Sequence, residues 1–324
     1  MKAIVCKAWG PPESLVLEER PPLEAGRGQV VVSVKAANVK FADTLIIENK
    51  YQTKPELPFI PGGEVAGVVK AIGAGVEGWK IGDRVSGQAT SGGYAEEALV
   101  EADRLLKIPE SVDYASAAGV ASTYGTSYYA LIDRGQLRAG ETLLVLGASG
   151  GVGLAAVEIG KVLGARVIAC ASTEEKLSVC RKQGADETIN YVTEDMRARV
   201  KEITKGKGVD VVYDPVGGPY SELALRDMAW GGRFLVVGFA AGDIPRIPLN
   251  LPLIKGCSIV GVWIGAFAKR DPAQHRANAL ELWKWFAEGK IKPHVSATLP
   301  LERAADALNA LAGRKVAGKV VLTT

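Results

Sequence analysis

Leu143-Leu144-Val145-Leu146 is followed without a spacer by Gly147-Ala148-Ser149-Gly150-Gly151-Val152-Gly153, and Val152, Ala155, Ala156, Ile159 and Val162 then recur at helical spacing. This order predicts a strand over 143–146, a tight glycine turn, and a helix over about 152–163. Glycines serve a dinucleotide site at such a turn: the chain reverses sharply, bare backbone approaches a pyrophosphate, and the helix packs close to the strand. Against G-x-G-x-x-G the match is Ala148, Gly150 and Gly153, two glycines of three. The same letters satisfy G-x-S-x-G with Ser149 at its centre, the nucleophile elbow of a hydrolase. A merely tight turn is the third possibility.

Outward from the turn, strand and helix alternate. Arg166 to Cys170, Glu187 to Ile189, Val209 to Tyr213 and Arg233 to Val237 are predicted strands; Glu174 to Gln183, Met196 to Thr204 and Leu223 to Met228 are predicted helices. The pattern predicts a parallel, doubly wound sheet. A further apolar run, Cys257 to Trp263, is a candidate sheet edge. Residues 1 to about 120 differ in texture: β-branched runs such as Val30 to Val34, Glu64 to Ile72 and Arg84 to Gly87 are broken by Gly and Pro, predicting a largely antiparallel β domain. The last segment adds helices over Leu280–Glu288 and Arg303–Leu311 and a strand over Lys319–Leu322.

The end of the second strand separates the rival readings of the turn. A site for NAD carries an acid about 20 residues past the turn, to bind the ribose hydroxyls. Here the chain runs Cys170-Ala171-Ser172-Thr173-Glu174-Glu175-Lys176. Without a carboxylate at the strand end, and with a cation one turn later, the site favours a 2′-phosphate and hence NADP(H): Ser172 donates and Lys176 pairs. Pairing of Lys176 with Glu174 or Glu175 is the plainer alternative. A hydrolase needs an acid and then a His after its Ser, and the two histidines, His275 and His294, lie in a segment without a clear strand-end loop.

Composition narrows the class. The chain has 324 residues, 48% hydrophobic and 23% charged, as in an ordinary folded protein of about two domains. Thirty-nine Lys and Arg against 36 Asp and Glu leave a formal charge of +3 with no basic stripe, which argues against nucleic-acid binding. The four cysteines, Cys6, Cys170, Cys180 and Cys257, form no C-x-x-C pair, so reduced thiols in a cytoplasm are expected. Neither a signal sequence nor a membrane span is expected.

The whole chain, from Met1-Lys2-Ala3-Ile4 to Gly318-Lys319-Val320-Val321-Leu322, resembles the medium-chain dehydrogenase/reductase superfamily and, within it, the zinc-independent, zeta-crystallin-like NADPH:quinone oxidoreductases. The resemblance is carried by Pro61-Gly62-Gly63-Glu64-Val65-Ala66-Gly67 with Val76, by Gly82-Asp83-Arg84-Val85, by Gly92-Gly93-Tyr94-Ala95-Glu96 and by the glycine turn. It implies an α/β protein in two parts: a GroES-like, mainly β catalytic domain from 1–120 with 266–324, and an NADP(H)-binding Rossmann domain over 121–265. Zinc-dependent relatives place a His where this chain has Gly63. They also supply a Cys from the segment matching Asn38 to Asp43, and a Cys or Asp from around Ala121 to Gly125. Neither segment holds a Cys here, and the four-Cys zinc lobe expected after Val85 is missing because Ser86 to Gly93 leads straight to the next strand. Catalytic zinc needs three protein ligands and structural zinc four, so no metal site is expected.

The resemblance further implies that NADPH contacts Lys40, Thr126, Ser149, Gly150, Gly151, Val152, Ser172, Lys176, Tyr191, Gly238, Phe239, Val262, Trp263 and Arg314. Taken singly, Tyr191 packing at a strand end, Phe239 in the core and Arg314 in solvent remain open. Tyr51 matches an active-site tyrosine that polarises a carbonyl or borders the quinone; a loop aromatic shielding the domain edge is the alternative. Lys40 is a departure, because relatives usually carry Asn there. It is read as a cation for a developing enolate or for a substrate carboxylate or CoA phosphate, against a lysine turned to solvent. The expected function is hydride transfer from NADPH to a quinone or another conjugated carbonyl, with Tyr51, Lys40 or solvent as proton source. Alternatives are reduction of α,β-unsaturated acids or acyl-CoA thioesters, and an NADPH-binding structural or RNA-binding protein with little turnover. The expected partners are a small-molecule substrate and a second copy of the chain joined through Rossmann edge strands, with no membrane.

Overall fold

The β-branched runs of the first 120 residues pair as antiparallel strands because each presents an apolar face to a common core. Gln29–Val39 lies at the centre, paired with Glu64–Ile72 and with Glu97–Glu101. Arg84–Gln88 and Leu105–Lys107 extend the sheet on the far side of Glu64–Ile72. Lys319–Thr323 returns from the end of the chain to pair with Gln29–Val39, and Val295–Pro300 lies parallel to it. Val32, Val34, Val65, Val85, Leu105 and Leu322 share one core. The structure, a computed structural model, describes residues 1–52, 54–89 and 92–324, so residues 90 and 91 of the Ser86–Gly93 segment lie outside the described residues.

The chain forms two compact units, Met1–Ser122 with Lys292–Thr324, and Thr123–Ile291. The first is the GroES-like β unit. The second is a doubly wound Rossmann unit whose six strands are all parallel, in the order Glu187–Asn190, Arg166–Ala171, Thr142–Val145, Val209–Asp214, Met228–Val236 and Ser258–Gly261. Two sequence expectations shift. Residues 266–291 belong to the second unit rather than the first. Helix Pro272–Ala287 buries Trp283, Trp285 and Phe286, and it sets Phe286 edge-on to Tyr124 and Trp285 against Tyr128, both residues of the second unit. The helix expected over 223–228 spans Pro219–Arg226 instead, because Gly218 turns the chain at positive φ and Pro219 is preset for a first helical turn. Among the described residues no helix is long and apolar enough to cross a membrane.

Three motifs that carried the resemblance are structural fasteners. The guanidinium of Arg84 donates to the carbonyls of Pro109 (3.1 Å), Glu110 (3.0 Å) and Val112 (2.5 Å), which holds the loop after the last short strand. The Gly93 and Tyr94 N–H groups donate to the carbonyls of Gly62 (2.8 Å) and Pro61 (2.9 Å), tying the Gly92–Glu96 motif to the Pro61–Gly67 motif. In the closing strand, the buried Lys319 ammonium donates to the carbonyls of Ala115 (3.2 Å), Ser116 (3.0 Å) and Ala118 at the end of the short helix Tyr114–Ala117. Burial pulls its pKa down to about 8, with Glu64 and Asp113 opposing.

Because the folded pKa of Lys319 lies below the unfolded value of 10.5, the unfolded chain binds more protons between about pH 8 and 10.5. This group's contribution to stability is therefore lowest below pH 8 and grows as pH rises to 10.5. Urea unfolding of wild type and Lys319→Met should show the difference moving in favour of wild type across this window, by up to about 3 kcal/mol. A pH-independent difference would contradict the assignment.

Candidate active site

The carboxyl ends of the six parallel strands form a rim on the second unit, and nearly all of the anticipated cofactor residues of that unit lie along it. The strand order reverses between Thr142–Val145 and Val209–Asp214, where an open parallel sheet offers its binding crevice. The glycine turn leaves the first of these strands at that point. Gly147 is the residue that turns, with φ +56°, and a Cβ there would meet Val216 Cγ2 at 2.6 Å. The turning glycine is thus one position earlier than the sequence pattern suggested. Gly153 lets helix Gly151–Val162 lie against the backbone of Gly147 and Ala148, which an added Cβ would strike. Gly150 caps this helix, so the first N–H groups of Gly151 and Val152 open toward the rim.

Beyond the second strand, Ser172 Oγ accepts from Lys176 Nζ at 3.2 Å, and Thr173 caps the helix Glu174–Lys182. Glu174, one of the two carboxylates that offered Lys176 a plainer partner, engages Arg181 instead. Beyond the third strand, Tyr191 lies 4.4 Å from the Tyr220 ring. Gly238 and Phe239 follow the strand Met228–Val236. Phe239 is 39% exposed and covers the backbone of Gly217, so it is not a core residue. Val262 and Trp263 follow the edge strand, the latter 66% exposed. Ser149 is buried, and among the described residues no hydrogen bond joins it to a histidine. His275 sits edge-on to Phe267, and His294 belongs to the first unit. The hydrolase arrangement is therefore not assembled. Thr126 is half-buried on the short helix Gly125–Tyr128.

Sequence inspection missed one rim element. Asp214 ends its strand buried, accepting from the N–H groups of Val216 (2.8 Å) and Gly217 (2.9 Å) and from Ser221 Oγ (2.5 Å). Burial raises its pKa against these donors. It fixes the loop 215–218, whose Val216 touches the glycine turn and whose Gly217 seats Phe239. Asp followed by Pro and two glycines at a strand end was the available signal.

The first unit holds a separate cluster of charge. Glu64 is buried and accepts from Asn38 Nδ2 (3.0 Å) and Ser122 N–H (2.6 Å). Asp43 is also buried; one of its oxygens accepts from Tyr94 Oη (2.8 Å) and from the Lys40 backbone N–H (2.9 Å). Burial pushes the Asp43 pKa up, with Lys40 and Tyr94 opposing. Lys40 stands at the start of helix Phe41–Ile47, half-buried. Burial lowers the pKa of its ammonium, but Glu64, Asp43 and Tyr51 outweigh that and hold it above the ordinary lysine value. Tyr51 is half-buried in the same unit. At Gly63, the position matched to a metal-binding His, a Cβ would lie 3.6 Å from Lys40 Nζ. Among the described residues no group of three or more His, Cys, Asp or Glu side chains is gathered that would hold a metal ion. Arg314 lies exposed in this unit, just past helix Ala304–Ala312.

Comparison with known proteins follows this division. The sequence matches the family described as "Zinc-binding dehydrogenase" over residues 151–284 and the "Alcohol dehydrogenase GroES-like domain" over residues 26–110. The quinone oxidoreductase-like protein 2 homolog of Nematostella vectensis is 41% identical over 327 residues, covering 100% of this chain and 89% of its own length. The quinone oxidoreductase of Homo sapiens is 35% identical over 325 residues, covering 99% of this chain and 97% of its own. Among solved structures, Escherichia coli quinone oxidoreductase complexed with NADPH is similar with a TM-score of 0.92 at 32% identity, over 100% of both chains. A probable oxidoreductase from Mycobacterium abscessus gives 0.91 at 40% identity, over 100% of this chain and 99% of that one. With likeness running the full length of both units, the chain belongs to the quinone oxidoreductase family of the medium-chain dehydrogenase/reductase superfamily.

Proposed function

We propose that this chain is an NADPH-dependent reductase of quinones and related conjugated carbonyls that works without zinc. The single observation that carries the cofactor reading is the Ser172–Lys176 pair beyond a strand end that lacks a carboxylate. A 2′-phosphate suits a hydroxyl and an ammonium 3.2 Å apart, whereas the ribose hydroxyls of NADH call for an acid there. The NADPH-bound quinone oxidoreductase among the similar structures supports the same choice.

When bound, NADPH supplies a hydride. The chain's own residues bind and orient. The N–H groups of Gly151 and Val152 at the helix start, with Ser149 and Gly150 in the turn, receive a pyrophosphate. Tyr191, Gly238, Phe239, Thr126, Val262 and Trp263 border the cofactor along the rim, with Asp214 fixing the loop under Phe239. Lys40 and Arg314 stay in the cofactor set on the family resemblance. Tyr51 borders the acceptor, and Lys40 offers it a cation. Support for zinc independence is chemical. Gly63 has no ligand atom, the segments 38–43 and 121–125 hold no cysteine, and an ammonium already stands beside position 63.

Among the described residues the edge strand Ser258–Gly261 is paired within the sheet to Met228–Val236 alone. Around it Ile259, Trp263 and Trp230 are 41%, 66% and 83% exposed. An unpaired edge with apolar neighbours is a natural seam for a second copy of the chain, so a homodimer is part of the proposal.

NADPH should bind saturably and outperform NADH in an oxidation assay with benzoquinone. Lys176→Ala should weaken NADPH about tenfold or more, the scale of one lost charge-assisted contact, and leave NADH unchanged; equal losses for both cofactors would refute the 2′-phosphate assignment. Activity should survive exhaustive chelation and gain nothing from added zinc, and zinc-restored activity would overturn the metal-free mechanism. Sedimentation at low concentration should give a dimer that Ile259→Lys converts to monomer; a wild-type monomer would remove the seam.

A further inference from the structure

The four charged groups of the first unit's cluster differ in one respect. Glu64, Asp43 and Lys319 are buried and satisfied, Glu64 by Asn38 and Ser122, Asp43 by Tyr94 and the Lys40 N–H, and Lys319 by three carbonyls. Lys40 alone is not fully buried. Among the described residues its ammonium has neither a hydrogen bond nor a carboxylate within ion-pair distance, and Gly63 puts no side chain beside it, a Cβ there lying 3.6 Å from Nζ. A half-buried cation without a direct partner is incomplete, because it has lost water without gaining an acceptor. Two cations and two carboxylates nearly cancel over the cluster as a whole. The one charge that is not fully buried is positive, set over a background that gives a resident anion little net attraction. Such an arrangement suits an oxygen that is neutral on binding and becomes charged during reaction.

We propose that the Lys40 ammonium receives the carbonyl oxygen of a neutral conjugated acceptor and stabilises the oxyanion that forms there, and that Tyr94, acting through Asp43, is its positioning residue. This deepens the function proposed above and rests on it. As the acceptor takes a hydride from NADPH, a new C–H bond forms and the electron pair of the carbonyl system moves onto the oxygen facing Lys40. NADPH is oxidised by two electrons, the acceptor is reduced, and water supplies the proton that later neutralises the oxygen. The carboxylates Glu64 and Asp43 keep Lys40 charged, so it acts as a fixed cation rather than as the proton source. The positioning runs through one oxygen: Asp43 Oδ2 holds both the Tyr94 hydroxyl at 2.8 Å and the Lys40 N–H at 2.9 Å. The Tyr94 ring, in turn, lies against Gly62, whose positive φ of 84° and missing side chain admit it.

The test measures NADPH affinity and steady-state kinetics with 1,4-benzoquinone and with a carboxylated benzoquinone. Lys40→Gln should lower kcat for benzoquinone about 100-fold, the scale seen for one oxyanion donor, and the loss should persist at saturating NADPH. Tyr94→Phe should lower kcat about tenfold, and the Lys40→Gln/Tyr94→Phe double variant should be no slower than Lys40→Gln, because the tyrosine acts only through the lysine. If Lys40→Gln does not fold, Gly63→Ala substitutes for it: the added Cβ makes ordinary contacts, 3.4 Å to the Ala89 carbonyl and 3.6 Å to Nζ, and should lower kcat several-fold by covering the ammonium. An unchanged kcat in Lys40→Gln or Gly63→Ala, with wild type turning over, overturns this inference and spares the proposed function. A loss confined to KM for the carboxylated quinone also overturns it, in favour of ground-state anion binding. A wild type that reduces neither quinone with NADPH defeats the proposed function and this inference together.

Discussion

A carboxylate taken out of water must be answered by donors or cations, and the first unit is arranged around that demand at Glu64. Leaving one such charge unanswered costs about 3–5 kcal/mol, a large share of a domain's net stability. Asn38 comes from the central strand, Ser122 from the last residue of the unit's first segment, Lys319 from the strand that closes the chain, and Lys40 from the strand-to-helix junction. One buried group thereby draws together four pieces distant in sequence. The antiparallel register brings Val321 opposite Asn38 and Val320 opposite Val39, which sets Lys319 near the end of the strand leading to Lys40. Packing and charge specify the same arrangement, and the charged residue left without a direct partner is Lys40.

In the second unit the governing constraint is backbone proximity. A parallel sheet directs the ends of all its strands to one side, so short loops after each strand converge on one rim. The glycine turn then sets how near a ligand can come. Gly147 reverses the chain, Gly153 lets the helix rest on the turn, and Val216 closes over it from the loop that Asp214 holds. Asp214 contributes no charge to the rim surface; its role is to keep the loop under Phe239 and the turn in one geometry.

The alternation of strand and helix was legible because periodicity is a local property, and the glycine turn because few other residues accept that backbone path. Ser172 and Lys176 were legible as candidates for one phosphate because no carboxylate ends the strand and a cation follows within a turn; their contact with each other was seen only in the folded chain. The return point at 291 was not legible. It depends on aromatic contacts of Trp285 and Phe286 with Tyr124 and Tyr128, some 150 residues earlier, and nothing near residue 266 records them. The helix at Pro219 was misplaced for a smaller reason: apolar spacing marked its buried face, whereas Gly218 and Pro219 set its start.

By itself the sequence determined the two-part architecture, the dinucleotide turn, the missing carboxylate at the second strand end and the missing ligand at position 63. Each is a matter of which side chain is or is not present, and that requires no coordinates. Only the tertiary structure decided that Lys40 lies beside position 63, that Asp43 and Tyr94 stand behind it, that Lys319 shares Glu64 with it, and that Asp214 underlies the rim. These depend on strand register and on the burial of charge, which are properties of the folded chain as a whole, because desolvation turns a distant carboxylate into a strong local influence.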